Sequence, residues 1–126
     1  HGPQEAGGER GVDARALEDL RRAMGEEFGH IVGIFLDQGR ERIEALRKAA
    51  DRADAEALRR TAHTLKGSAG LIGAAAMASI CRELQEMGSR GETAGAEALI
   101  ERLADEFARV EGLLERERER VAPSAS

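Results

Sequence analysis

The segment that could carry chemistry is TAHTLKGSAGLIG, residues 61–73. It has a histidine at position 63, a lysine three residues later, and glycines at positions 67, 70 and 73. A histidine nitrogen can accept a phosphoryl group. An ammonium group about 4 Å from that phosphoryl group would attract it by about 1 to 4 kcal/mol near a protein surface. His63 and Lys66 can therefore support phosphoryl transfer, although for this spacing alone an ordinary exposed histidine beside an ordinary lysine is the alternative.

A helical wheel over residues 55–72 predicts which way His63 faces. At about 100° per residue, five apolar side chains fall within about 40° of one direction, the expected core; these are Leu58, Ala62, Leu65, Ala69 and Ile72. His63 lies about 140° from the core direction, Lys66 about 80°, Gly70 about 120° and Gly67 about 180°. The wheel thus predicts an imidazole on the outer flank of the helix, next to two glycines.

Gly67 and Gly70 are costly residues for an exposed helix face. Together they lower helix stability by about 2 kcal/mol relative to alanine. Stability does not explain them, whereas a partner that brings its own backbone close to His63 does. We therefore predict that the two glycines keep a docking surface free of side chains.

Composition favours one all-α domain. The 126 residues are dominated by Ala, Leu, Arg and Glu, with three Phe and no Tyr or Trp, a mixture that suits helices better than strands. The net charge of −5 argues against nucleic acid as the partner. No run of about 18 apolar residues predicts a membrane span, so direct membrane contact is not expected. The single cysteine fits a reducing compartment, and we expect a cytoplasmic location.

Hydrophobic spacing predicts five helical stretches. Asp13 and Asp54 are expected N-caps, and Gly73 and Gly88 are expected stops. The ERERER run at 115–120 is expected to be a solvated extension. The predicted stretches are 13–24, 26–49, 55–71, 74–87 and 93–120.

Short connections make consecutive helices antiparallel neighbours. The predicted fold is an antiparallel up-down-up-down four-helix bundle with a short extra N-terminal helix. Gly33 and Gly39, inside the second stretch, are expected to let a neighbouring helix come close. The bundle domain is expected at 12–120, between a disordered linker or tag remnant at 1–11 and a disordered tail at 121–126.

The other histidines and the cysteine do not predict a second reactive or metal-binding site. The three histidines form no His-x-x-x-His pair, so no metal site is predicted. His30 is expected on a helix flank, and Cys81 is expected to be a small core residue rather than a nucleophile.

Residues 63–69, HTLKGSA, together with Gly73 and Ala74, resemble the signature of histidine phosphotransfer (HPt) domains, the four-helix modules of phosphorelays. The likeness extends upstream through FLDQGRERIEALRKAADRADAEALRRTA and downstream through ICRELQEMGSRG. It covers roughly residues 13–114, most of the chain.

The resemblance implies specific roles at the matching positions. His63 would be the phosphoacceptor, through Nε2, and Lys66 would stabilise the phosphoryl group. Gly67 would leave room for the partner, Ser68 would lie beside the site, and Gln85 would approach the imidazole from the next helix. The implied partners are response-regulator receiver domains. The module would have no cofactor and no catalytic activity of its own, because the receiver supplies Mg²⁺.

Four settings remain open from the sequence. The alanine- and glycine-rich ends have the composition of linkers, and VAPSAS has that of a natural chain end, which favours the C-terminal module of a hybrid sensor kinase, tethered through that kinase to a membrane, over a free-standing shuttle. The phosphoacceptor domain of a chemotaxis-type kinase is another member of the same class. A helical adaptor that binds a partner without phosphorylation is the alternative of a different class. A monomer is expected in each case.

Overall fold

The computed structural model describes the backbone of residues 12–121 and the side chains of residues 12–119. Within this part of the chain, all regular structure is helical. The predicted disordered segment 1–11 lies outside the described residues, as does the predicted tail 121–126 apart from residue 121, where the last helix ends.

Four long helices form the predicted antiparallel up-down-up-down bundle, so the fold prediction is confirmed. Helix α2 packs against α3 and α5, and α4 packs against the same two helices, with the α3–α4 contact the most extensive. The short helix α1 precedes the bundle and contacts α2. The elements are α1 Ala14–Met24, a 3₁₀ turn at Gly25–Glu27, α2 Phe28–Asp51, α3 Ala55–Leu71, α4 Ala75–Ser89 and α5 Ala96–Val121.

The two predicted aspartate N-caps and the predicted glycine stop at Gly73 are present. Asp13 Oδ1 accepts a hydrogen bond from the Arg15 backbone N–H at 2.9 Å, and Asp54 Oδ1 accepts one from the Ala57 N–H at 3.0 Å. Gly73 follows α3 with φ at 78°, a left-handed conformation suited to glycine. Its carbonyl accepts a 2.7 Å hydrogen bond from the Asp13 N–H, which ties the start of α1 to the α3–α4 turn.

The core is apolar and draws on all five helices. The five residues of the α3 wheel are buried, as predicted. Ile31, Met87 and Leu99 lie at the edge of the core and are half-buried. The largest fully buried side chains include Phe28, Leu36, Leu46, Leu65, Met77 and Leu103.

Gly88 does not end α4, as its sequence position suggests, because the helix continues through it to Ser89. Gly88 is instead buried against α3. A Cβ atom on Gly88 would lie 2.6 Å from the Ala55 carbonyl oxygen and 2.8 Å from the Arg59 backbone nitrogen. Tertiary packing, not helix termination, requires glycine at this position.

Helix α5 begins three residues later than predicted, and its charged end is not merely solvated. The chain turns through Gly95, with φ at 89°, before the helix starts at Ala96. In the ERERER run, Glu117 pairs with Arg21 of α1, and Arg118 Nη1 donates to the Gly29 carbonyl of α2 at 3.3 Å. These contacts fasten the last turns of α5 to the rest of the bundle.

Gly33 and Gly39 allow the close approach of α5, as expected. A Cβ on Gly39 would lie 2.4 Å from the Phe107 ring, and a Cβ on Gly33 would lie 3.0 Å from Arg118 Nη1. The glycines therefore let two α5 side chains lie directly on the α2 backbone.

We predict that Gly88→Ala destabilises the fold while Gly112→Ala does not. The new methyl at position 88 meets α3 backbone, which cannot move aside cheaply, so a loss of about 1 to 3 kcal/mol is expected. At position 112 the nearest atom would be 3.8 Å away, and the better helix propensity of alanine adds up to about 1 kcal/mol. Urea unfolding followed by circular dichroism measures both, and equal stabilities would contradict the α3–α4 packing described above.

Candidate functional site

Helix α3 holds five of the six predicted site residues. His63 lies at the middle of this 17-residue helix. Its side chain is exposed, as the wheel predicts, and no described residue forms a hydrogen bond or ion pair with it. The imidazole is therefore available to a partner from the solvent side.

The surface beside His63 is bare. Gly67 and Gly70 are exposed, and a Cβ atom built on either would meet nothing within 4 Å. The fold itself therefore gives no steric reason for glycine at these two positions, in contrast to Gly88 and Gly39. Leu71, at the end of the same helix, is 63% exposed and adds an apolar side chain to this flank.

Upstream of His63, an acidic side chain is neutralised by its own helix. Glu56 lies seven residues before His63, about 10 Å along the same face. Hydrogen bonding from Arg59 lowers the pKa of Glu56, and Arg60 Nη1 lies 3.7 Å from the same carboxylate. An anion arriving at His63 thus meets a paired carboxylate rather than a free one.

The Ser68 hydroxyl already has a partner within α3. Ser68 Oγ donates to the Thr64 carbonyl at 3.4 Å, and Thr64 Oγ1 donates to the Arg60 carbonyl at 3.2 Å. Both hydroxyls turn toward their own helix. Ser68 is half-buried and lies one turn from Thr64.

Lys66 is half-buried and stands on the α4 side of α3. It lies close enough to Cys81 of α4 for its charge to act on that thiol. Burial raises the pKa of Cys81 to about 12, and the Lys66 charge opposes that rise. Cys81 is fully buried and remains a thiol at neutral pH, which agrees with a core role rather than a nucleophilic one.

Gln85 of α4 is half-buried, and its Oε1 atom is buried without a hydrogen-bond partner among the described residues. No hydrogen bond joins it to His63. A buried acceptor of this kind is normally satisfied by a donor or an ordered water. The approach of Gln85 to the imidazole stays a prediction.

The sequence did not predict an open groove where the α3–α4 turn meets α1, here called the α3–α4 groove. It has a volume of about 430 Å³. Lys66 and Gly70 line it from α3, and Arg82 and Ser79 line it from α4; the remaining lining residues are Asp13, Ala16, Gly73, Ala75 and Ala78. Lys66 and Arg82 lie seven and nine residues from Gly73, on opposite arms of one helical hairpin. The similar spacing of these two residues from the turn is the sequence signal from which the groove could have been predicted.

The described residues show neither a metal cluster nor a membrane span. No group of three or more His, Cys, Asp or Glu side chains there could hold a metal ion. None of the helices in residues 12–121 combines the length and apolar character that crossing a bilayer requires.

Comparison with known proteins decides the family. The Hpt domain family model matches residues 30–113, which include every candidate site residue. The chain belongs to the Hpt domain family. The crystal structure of histidine-containing phosphotransfer protein B (HptB) from Pseudomonas aeruginosa PAO1 superposes on this Hpt domain with a TM-score of 0.85. The two are 40% identical, over 87% of this chain and 96% of that chain. Among curated protein sequences no significant match was found.

The family gives the Hpt domain its general role. It is a histidine-containing phosphocarrier of a phosphorelay, and it works with response-regulator receiver domains. Proteins of this kind carry phosphoryl groups rather than catalyse reactions.

We predict that Gly67→Ala and Gly70→Ala each stabilise the isolated protein by up to about 1 kcal/mol. Each added methyl enters open space, and alanine is the better helix former.

Gly67→Gln should leave the helical circular dichroism spectrum unchanged but weaken docking of a receiver domain, because its side chain would cover the bare surface. Unfolding curves and receiver binding measured on the same variants check both effects. A destabilised alanine variant, or normal docking by Gly67→Gln, would contradict the prediction that the two glycines keep a docking surface free of side chains.

Proposed function

We propose that His63 is the phosphoacceptor of this phosphocarrier. The observation that supports it is an exposed imidazole, without a partner among the described residues, beside two glycines that the fold does not require. His30 is also exposed, but it lies near the start of α2 and outside the TAHTLKGSAGLIG segment.

The proposed step transfers a phosphoryl group between an aspartate of a receiver and the imidazole. The lone pair of Nε2 attacks phosphorus, the N–P bond forms, and the bond from phosphorus to the aspartate oxygen breaks. The receiver carboxylate leaves as the anion. Return of the phosphoryl group to an aspartate of a second receiver reverses these events. The receiver brings the Mg²⁺ that offsets the charge on the phosphoryl oxygens, and the Hpt domain needs no cofactor of its own.

Lys66 is proposed to stabilise the phosphoryl group on His63. It lies one helical turn from His63, and its ammonium forms no ion pair with a described residue. The charge is therefore free to act on an anion at the imidazole.

The neighbouring residues are proposed either to leave room for the receiver or to form a hydrogen bond with the imidazole. Gly67 and Gly70 leave room for the receiver backbone, and Ser68 lies at the edge of the contact. The unsatisfied Oε1 of Gln85 could accept an imidazole N–H after a small rearrangement of its side chain. The setting we propose is cytoplasmic, as a monomer.

We predict that His63→Gln abolishes labelling by a phosphorylated receiver domain. In the unaltered protein the label should be acid-labile and base-stable, as a phosphoramidate is. His30→Gln is the matched control, since His30 is exposed on α2, and it should label normally. Labelling of the His63→Gln variant under the same conditions would assign the acceptor to another residue.

We predict that Lys66→Ala slows phosphotransfer at least about fivefold, because an attraction of about 1 kcal/mol or more at the phosphoryl group is lost. The half-life of phosphohistidine is measured in the same experiment and should shorten. Lys48→Ala, at an exposed position near the end of α2, is the control and should leave both quantities unchanged. Equal transfer rates for the Lys66 variant and the unaltered protein would remove Lys66 from the mechanism.

A further inference from the structure

The α3–α4 groove carries positive charge that the protein does not neutralise. Neither Lys66 nor Arg82 forms an ion pair or hydrogen bond with a described residue, although Glu86 lies one turn after Arg82 on α4. Most other arginines of the long helices are paired, such as Arg40 with Glu111 and Arg59 with Glu56. Lys66 and Arg82 therefore place two unpaired positive charges at one groove, in a chain of net charge −5.

The carboxylate in this groove is already engaged. Asp13 Oδ1 caps α1 by accepting hydrogen bonds from the Arg15 and Ala16 backbone N–H groups, at 2.9 and 3.5 Å. It is therefore held at the start of α1 and forms no ion pair with Lys66 or Arg82. The groove keeps a net positive character.

Small residues keep the groove open between the two cations. Gly70, Ala75, Ala78 and Ser79 form much of its lining, and a Cβ on Gly70 would meet nothing within 4 Å. Gly70 also lies on the bare surface beside His63, so the groove and the His63 surface are continuous. A protein that covers His63 from the solvent side would reach the groove at the same time.

We propose that the α3–α4 groove receives an acidic side chain of the receiver domain, and that Arg82 is the residue that selects receivers carrying it. This inference rests on the proposed function of His63 and adds a specificity contact to it. Arg82 would act on docking rather than on the chemistry at the imidazole. Opposite charges across an interface raise the association rate and reject partners of the wrong charge.

The test uses the full chain and a receiver domain selected from a panel by its transfer to the unaltered protein. The receiver is phosphorylated with acetyl phosphate, and initial rates of transfer are measured against Hpt domain concentration. Arg82→Glu should raise KM at least about fivefold with little change in kcat, and Arg82→Lys should restore most of the affinity. The salt dependence of kcat/KM should also weaken in Arg82→Glu. Arg102→Glu, an equal charge change in the groove between α4 and α5, is the matched control and should have little effect.

Labelling of His63 by phosphoramidate, without a receiver, separates docking from chemistry. It should be equal in Arg82→Glu and the unaltered protein. Unchanged transfer kinetics in Arg82→Glu, or an equal loss in Arg102→Glu, would overturn the specificity contact while leaving His63 as the acceptor. Slower phosphoramidate labelling in Arg82→Glu would also overturn it, because Arg82 would then act on the imidazole. Absence of label on His63 in the unaltered protein would instead defeat the proposed function.

Discussion

The close contact between α3 and α4 at Gly88 is the constraint on which the rest of the structure depends. A backbone carbonyl and a backbone N–H of α3 lie where a Cβ of residue 88 would be. Such a contact fixes both the separation of the two helices and the rotation of α3 about its own axis. Because the face of α3 that includes Leu58 and Ile72 is buried in the core, His63 on the other side of the helix faces the solvent. The local pattern of apolar residues turns the imidazole outward, and the backbone contact of Gly88 with Ala55 and Arg59 holds α3 close against α4.

Glycine has two opposite uses in this Hpt domain. Gly39 and Gly88 are buried where another element occupies the space of the missing side chain, so their role can be read from the packing. Gly67 and Gly70 face open space, and the isolated fold would be at least as stable with alanine there. Residues that weaken a fold without easing its packing are expected where function, rather than folding, sets the requirement. The two exposed glycines meet that description and lie beside the histidine.

The sequence predicted α3 and its exposed face well because the determining signals are local. Asp54 and Gly73 mark the two ends, and the 3.6-residue period separates His63 from the core. The end of α4 and the tethering of α5 were not predicted, because both depend on contacts between helices. From the sequence alone, Gly88 is read as a helix stop, but its role is to contact the α3 backbone. The ERERER run is read as a solvated segment, but Arg118 in it contacts the α2 backbone. The α3–α4 groove was missed for the same reason, since Arg82 has significance only opposite Lys66.

The burial of Cys81 also makes the protein convenient for spectroscopy. It is the sole cysteine of the chain, it is inaccessible to solvent, and its thiol holds its proton far above neutral pH. A maleimide dye or spin label would therefore attach selectively to a cysteine introduced on the surface, with the native thiol left in place. Distances between such a probe and a labelled receiver could then be recorded on a chain whose interior has not been altered.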